Sequence, residues 1–263
     1  MSSTDDLIPL LKKLRLSGVL QSLELRTRQA VDDDLAHGEF LFRILSDEVE
    51  RRDAKQLESR IRRASFEGMR TLEDFDFHFN PEIPKAKIID LATCSFVERH
   101  ENVLLVGRTG VGKSHIAQAL GHRACRAGYH ALYTSAHEML TMLRAARADA
   151  TYDRKLLRFT SPDLLVVDDL GLRPLSYDEP LDLYEIIRHR YQHGATIITS
   201  NRLCVAAHKR FNAEEVVMRS SVEVPSGFWS ATDPGLLGIT VTSQGGRHAH
   251  RLVRVRRTYP GTS

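Results

Sequence analysis

Apolar residues recur at helical spacing from the N-terminus as far as Arg70. Leu7, Leu10, Leu11 and Leu14 form one stripe; Leu41, Ile44, Leu45, Val49, Leu57 and Ile61 form another, with charges between them. Ser17-Gly18 is placed to interrupt or end the first helix. A second helix is predicted from Phe40 to Arg63, with Gly68 as its stop. Nothing in this zone alternates like a strand or gathers catalytic side chains. Residues 1–70 are therefore expected to form a small all-α domain.

From Glu101 to Arg202 the pattern changes. Short apolar runs predict strands at Val103–Val106, Ala131–Thr134, Leu164–Val167 and Thr196–Thr199. Helical patterns separate them. One spans Ser114–Ala127 and ends at Gly128; another is capped by Ser135 and carries Met139, Leu140 and Leu143. A third runs from Leu181 to Tyr191, with Gly194 as its stop. Strands alternating with helices imply an α/β fold with a mostly parallel sheet and right-handed crossovers. Ligands of such sheets sit beyond the carboxyl ends of the strands. After Leu203 the pattern is irregular, broken by Pro225, Gly227, Pro234, Gly235, Gly238, Gly245 and Gly246.

Composition narrows the class. The 263 residues are 42% hydrophobic and 27% charged, enough for a sizeable core and ordinary for a globular chain. No apolar run approaches a bilayer span, and Asp5 and Asp6 sit where a secretory signal would be basic. Three cysteines, Cys94, Cys125 and Cys204, are widely spaced and fit neither a disulfide framework nor a zinc motif. The expected setting is the reducing cytoplasm, with no membrane association. The net charge is only +3, but no acidic residue follows Pro234, whereas Arg247, Arg251, Arg254, Arg256 and Arg257 do. Such a tail is either a solvated basic segment or a phosphate-contacting one.

The chemistry lies at the strand ends. Gly107-Arg108-Thr109-Gly110-Val111-Gly112-Lys113-Ser114 fits G-x-x-x-x-G-K-[ST] in full, between a predicted strand and a predicted helix. Glycines let backbone N–H groups close on phosphate oxygens. Lys113 reaches the β- and γ-phosphates, Ser114 takes a Mg²⁺ position, and the helix N-terminus adds its dipole. These eight residues are the candidate cofactor site, for ATP with Mg²⁺. Leu164–Val167 ends in Asp168 and Asp169, an apolar strand leading into acid. Asp168 is the second metal candidate, and Asp169 stands where a general base orients the attacking water. Thr199-Ser200-Asn201 closes the fourth strand. Asn201 is placed either to hydrogen-bond the water or γ-phosphate, or simply to cap a turn. Lys113, Asp169 and Asn201 form the candidate catalytic set for phosphoryl transfer to water. Phe75, Phe77 and Phe79 alternate ahead of the core, as an adenine platform or as an apolar segment closing it.

The sequence resembles the IstB-type transposition helper ATPases, relatives of the DnaC-type helicase loaders. The likeness runs from about Leu10 to Arg202. It is carried by Thr71-Leu72-Glu73-Asp74-Phe75-Asp76-Phe77, Asn102 to Gly107, Gly112-Lys113-Ser114-His115-Ile116-Ala117, Leu165 to Gly171, and Ile197-Ile198-Thr199-Ser200-Asn201-Arg202. It implies an AAA+ P-loop three-layer sandwich at 71–202 behind a helical N-terminal domain. It also implies ATP-dependent homo-oligomerisation on double-stranded DNA and recruitment of the transposase of the same element. By this resemblance Asn201 takes the sensor-1 position, and Phe75 and Phe77 lie near the base. The N-terminal helices would dimerise, contact DNA or meet the transposase. The alternatives are a replicative helicase loader and a degenerate nucleotide-binding copy without turnover. Residues 203–263 depart from the family ending, as a reading-frame disruption would make them. The arginine finger is left among Arg202, Arg210, Arg219 and Arg247.

Overall fold

The computed structural model describes residues 4–80, 83–173, 175–176, 178–201 and 237–242. The described residues form two compact units, one ending at Ser59 and one beginning at Arg60.

The first unit contains α1 (Thr4–Lys13), α2 (Ser17–Asp32) and most of α3 (His37–Ala64). The break between α1 and α2 falls at Leu14–Leu16, with Arg15 left-handed at φ 58°, so Ser17-Gly18 begins the second helix instead of ending the first. Its start is fixed from α3. The buried Glu48 carboxylate accepts from the backbone N–H of Gly18 at 2.5 Å and of Val19 at 3.2 Å, satisfying N-terminal donors that no side chain of α2 caps. The helices touch so closely there that a Cβ on Gly18 would lie 2.7 Å from the Glu48 Cα. Val19, Leu23 and Ile44 make a small core, with Leu11, Leu16 and Phe40 against it. α3 stops at Ala64, before Gly68, because Ser65 turns left-handed at φ 58°.

The second unit continues through two short helices that the sequence pattern did not reveal, α4 (Lys85–Leu91) and α5 (Ser95–Glu98). Then follow β1 (Asn102–Gly107), α6 (Lys113–Arg126), β2 (Ala131–Ser135), α7 (Ala136–Ala148), α8 (Tyr152–Thr160), β3 (Leu164–Asp168), α9 (Glu179–Arg190) and β4 (Ala195–Ser200). The strand order is β2-β3-β4-β1-β5, the first four parallel. The fifth strand, β5 (Leu237–Thr242), comes from the stretch that the glycines and prolines marked as irregular; it pairs antiparallel with β1 over its whole length.

Alternation within β3 sorts the layers. Leu165 and Val167 join Leu132 in a core with Met139, Leu140 and Leu143 of α7, Phe159 of α8 and Ile186 of α9. On the opposite face, Val166 lies under α6 beside Gly121. The unit is thus an α/β sandwich of three layers, as the sequence led one to expect. Ser135 accepts from the Glu138 N–H at 3.1 Å and caps α7, an S-x-x-E box. Gly128 closes α6 at φ 102°. α9 ends at Arg190, whose buried guanidinium donates to the carbonyls of Phe159, Pro162 and Ala195.

Candidate nucleotide site

The strand order decides what meets at the carboxyl edge. β4 lies between β1 and β3, so the loop after β1, the acids after β3 and Asn201 after β4 converge. Ser200 pairs with Val106, placing Asn201 one step on, beside Gly107 at the mouth of the loop.

The loop from Gly107 to Gly112 joins β1 to α6, with Arg108, Thr109 and Gly110 exposed at its crest. Gly112 precedes α6 at φ 92°, a left-handed conformation that a side chain resists. The Phe75 ring covers it: a Cβ there would lie 2.8 Å from Phe75 Cε2. Phe75 also meets His115 edge-on, at 5.0 Å between centroids, and His115 Nε2 lies 3.1 Å from the Thr71 carbonyl oxygen. Phe77 stands one ring further out, 4.9 Å from Phe75, with Lys85 Nζ over its face. Phe79 is 71% exposed. Within the aromatic segment, Phe75 touches the loop, Phe77 packs on Phe75, and Phe79 is exposed. A groove of about 690 Å³ opens along this segment, bordered by Phe75, Phe77, Ile88 and Arg123.

Lys113 is buried and donates to the Arg108 carbonyl at 2.7 Å, inside its own loop. Burial pulls its ammonium below the usual lysine range, while Asp169 and Asp168 oppose that shift. Asp168 is 5% exposed and held from both sides of β3. Tyr133 on β2 donates its phenol to Oδ2 at 2.6 Å, and Thr199 on β4 donates its hydroxyl to Oδ1. The Thr199 oxygen accepts in turn from the Asp169 N–H at 2.8 Å. Asp169 itself is left-handed at φ 56°. Burial raises its pKa above the ordinary aspartate value, Asp168 adds to the rise, and Lys113 opposes it. The Asn201 Oδ1 is buried with no hydrogen-bond partner among the described residues.

Tyr133 and Thr199 were not singled out in the sequence. Their signal was faint: a hydroxyl near the end of each strand flanking the acid, meaningful only once the strand order is known. As for a nucleotide, the glycine loop and the Lys113 cation suit phosphate. The Ser114 hydroxyl and Asp168 carboxylate are hard oxygen donors of the type that Mg²⁺ shares with phosphate oxygens. The unpartnered Asn201 oxygen suits a donor such as water.

The family described as IstB-like ATP binding protein matches residues 9–220. The chain belongs to that family. A protein named as an ATP-binding protein in an insertion sequence of Mycobacterium tuberculosis is 40% identical over 193 residues, 73% of this chain and 77% of the relative. The IS21 ATP-binding protein of Pseudomonas aeruginosa is 34% identical over 193 residues, 73% of each chain. Among solved structures, AMPPCP-bound DnaA from Aquifex aeolicus overlays with a TM-score of 0.52 at 18% identity, covering 61% of this chain and 50% of that one. That likeness identifies the AAA+ fold. The match of this IstB-like chain to its family extends beyond Arg202 to residue 220, past the end of the likeness read from the sequence. Arg202, Arg210, Arg219 and Arg247 lie outside the described residues, as does the basic tail. No described helix is long and apolar enough to cross a membrane.

Proposed function

We propose that this chain is an ATP-hydrolysing helper of DNA transposition, which assembles with ATP on duplex DNA and recruits or stimulates the transposase of its element. The observation that carries the reading is the convergence of Lys113, Asp168, Asp169 and Asn201 at one sheet edge, in a family whose relatives are named for insertion sequences.

In this reading the Gly107–Gly112 backbone and the α6 N-terminus receive the phosphates. Lys113 exchanges the Arg108 carbonyl for the β- and γ-phosphate oxygens. Ser114 and Asp168 would hold Mg²⁺, which supplies charge neutralisation on the phosphate oxygens. Asn201 accepts from the attacking water with its unpartnered Oδ1 and orients it. Asp169 takes the water proton as the oxygen bonds to the γ-phosphorus, and the bond to the β–γ bridging oxygen breaks, giving ADP and phosphate. Phe75 and Phe77 border the base. The helices of the first unit and Arg247, Arg251, Arg254, Arg256 and Arg257 supply surfaces for DNA, for a second copy or for the transposase.

The test is ATP hydrolysis by the purified chain, with long duplex DNA, with single-stranded DNA and with neither, against Lys113→Ala. Turnover stimulated by duplex and lost in the variant supports the helper. Stimulation by single strands alone favours a helicase loader. ATP and DNA binding without turnover, even with transposase added, identifies a degenerate copy.

A further inference from the structure

Asp168 is buried, yet among the described residues no lysine or arginine pairs with it. Its two oxygens are taken instead by two neutral hydroxyls, one from each neighbouring strand. The sheet register builds this arrangement. Ser135 is the partner of Asp168 across β2, so Tyr133, two residues earlier, stands on the same face, and its long phenol reaches the carboxylate. Ile198 is the partner of Val167 across β4, so Thr199 comes level with Asp168 on the other side.

Both donors have a fixed direction. The Thr199 hydroxyl donates its hydrogen to Asp168 Oδ1, while its oxygen accepts from the Asp169 N–H. Tyr133 is 4% exposed, and its phenol donates to Asp168 Oδ2 at 2.6 Å. Each hydroxyl uses one acceptor position of a carboxylate oxygen and leaves another open. The carboxylate is therefore fixed in orientation, with an acceptor position left open on each oxygen.

We propose that Tyr133 and Thr199 are positioning residues that hold the Asp168 carboxylate ready for Mg²⁺, Thr199 also tying the Asp169 backbone to the same group. The inference rests on the ATP–Mg²⁺ reading above and adds to it residues that act through Asp168. Outer partners of this kind typically shift metal affinity or activity by about 10–100-fold when removed. Tyr133→Phe deletes the phenolic oxygen and keeps the ring. Thr199→Val deletes the hydroxyl at nearly constant shape, and Thr199→Ser restores it.

The experiment is equilibrium binding of a fluorescent ATP analogue to the full chain, first without divalent metal and then across a Mg²⁺ titration. Thermal unfolding of each variant is recorded in parallel. We expect Tyr133→Phe to bind the analogue without metal within about twofold of the wild type, and to need about tenfold more Mg²⁺ for half its effect. Thr199→Val should shift the Mg²⁺ dependence at least as far, and Thr199→Ser should return it towards the wild type. A wild-type Mg²⁺ dependence unchanged in both Tyr133→Phe and Thr199→Val overturns the proposal and leaves the ATP reading standing. A wild-type chain that binds no analogue, or binds it without response to Mg²⁺, overturns the reading itself and the proposal with it. Equal weakening with and without metal, beside a lowered unfolding temperature, assigns the hydroxyls to the fold alone and also overturns the proposal.

Discussion

Buried carboxylates occur in two settings in the sandwich. On the side of α7, α8 and α9, Glu179 and Asp182 are fully buried, and each meets an arginine. Arg173 grips Glu179 with two nitrogens, at 2.6 and 2.8 Å, and the Ser176 N–H adds a third bond at 2.8 Å. Arg147 and the Tyr152 hydroxyl converge on Asp182 Oδ1. At the carboxyl edge of the sheet, the partners of Asp168 among the described residues are two hydroxyls, and Lys113 turns to a carbonyl. The first setting cancels charge within the chain, so breaking it removes stability. The second orients charge and leaves it available, so breaking it should alter ligand binding more than folding.

The largest separation of the two settings should come from Lys113→Ala. We expect nucleotide affinity to fall by about two orders of magnitude or more, equivalent to about 3 kcal/mol, with the unfolding temperature little changed. Calorimetric titration with ATP checks it; unchanged affinity would remove Lys113 from the phosphate site. Asp169→Asn should keep nucleotide binding within about twofold and slow hydrolysis by about a hundredfold, the low end for loss of a general base. Because burial raises the Asp169 pKa, wild-type turnover should fall on acidification at a pH above the ordinary aspartate value. A pH–rate profile without that limb would count against Asp169 as the base.

Arg173→Ala tests the other setting. It leaves Glu179 buried without its cation and should lower the midpoint of denaturant unfolding, while ATP affinity stays near the wild type. The same pair predicts a smaller, graded effect of acid. Glu179 is held down to about 2 by the Arg173 hydrogen bonds, against an ordinary glutamate value of 4.5. The stability it contributes is fully present above that ordinary value and drains away as pH falls from about 5 towards 2. Unfolding midpoints of the wild type and Glu179→Gln should converge over this range. The smallest effect belongs to the basic tail. Neutralising Arg254, Arg256 and Arg257 should weaken duplex binding modestly and flatten its salt dependence, by about one counterion per lost phosphate contact.

How much of this was legible in the sequence depended on whether the signal was local. The runs at Val103, Ala131, Leu164 and Thr196 read as strands because each is apolar and punctuated, and the structure forms them there within a residue or two. The Ser135 cap and the Gly128 stop were likewise local. β5 was not, since six residues following Pro234-Gly235 become a strand only by pairing with β1, far away in the chain. The end of α3 falls one residue past the predicted Arg63, but the stop is a left-handed serine, Ser65, and not Gly68. At the site, the fixed spacing of the glycine loop named eight residues at once. Tyr133 and Thr199 carry no spacing relative to Asp168; the sheet brings them to it from strands 35 and 31 positions away.

The contact between Phe75 and Gly112 has a consequence for suppressor genetics. At Gly112 two obstacles to a methyl group coincide, a ring 2.8 Å from where the carbon would sit and a backbone at φ 92°. Shortening Phe75 clears the first and leaves the second, so no second-site change at Phe75 should rescue Gly112→Ala. At Gly121 the ring of Phe66 stands equally close, at 2.8 Å, but the backbone is helical. There a smaller residue at position 66 should suppress Gly121→Ala. A screen of paired substitutions would thus return revertants for one glycine and none for the other.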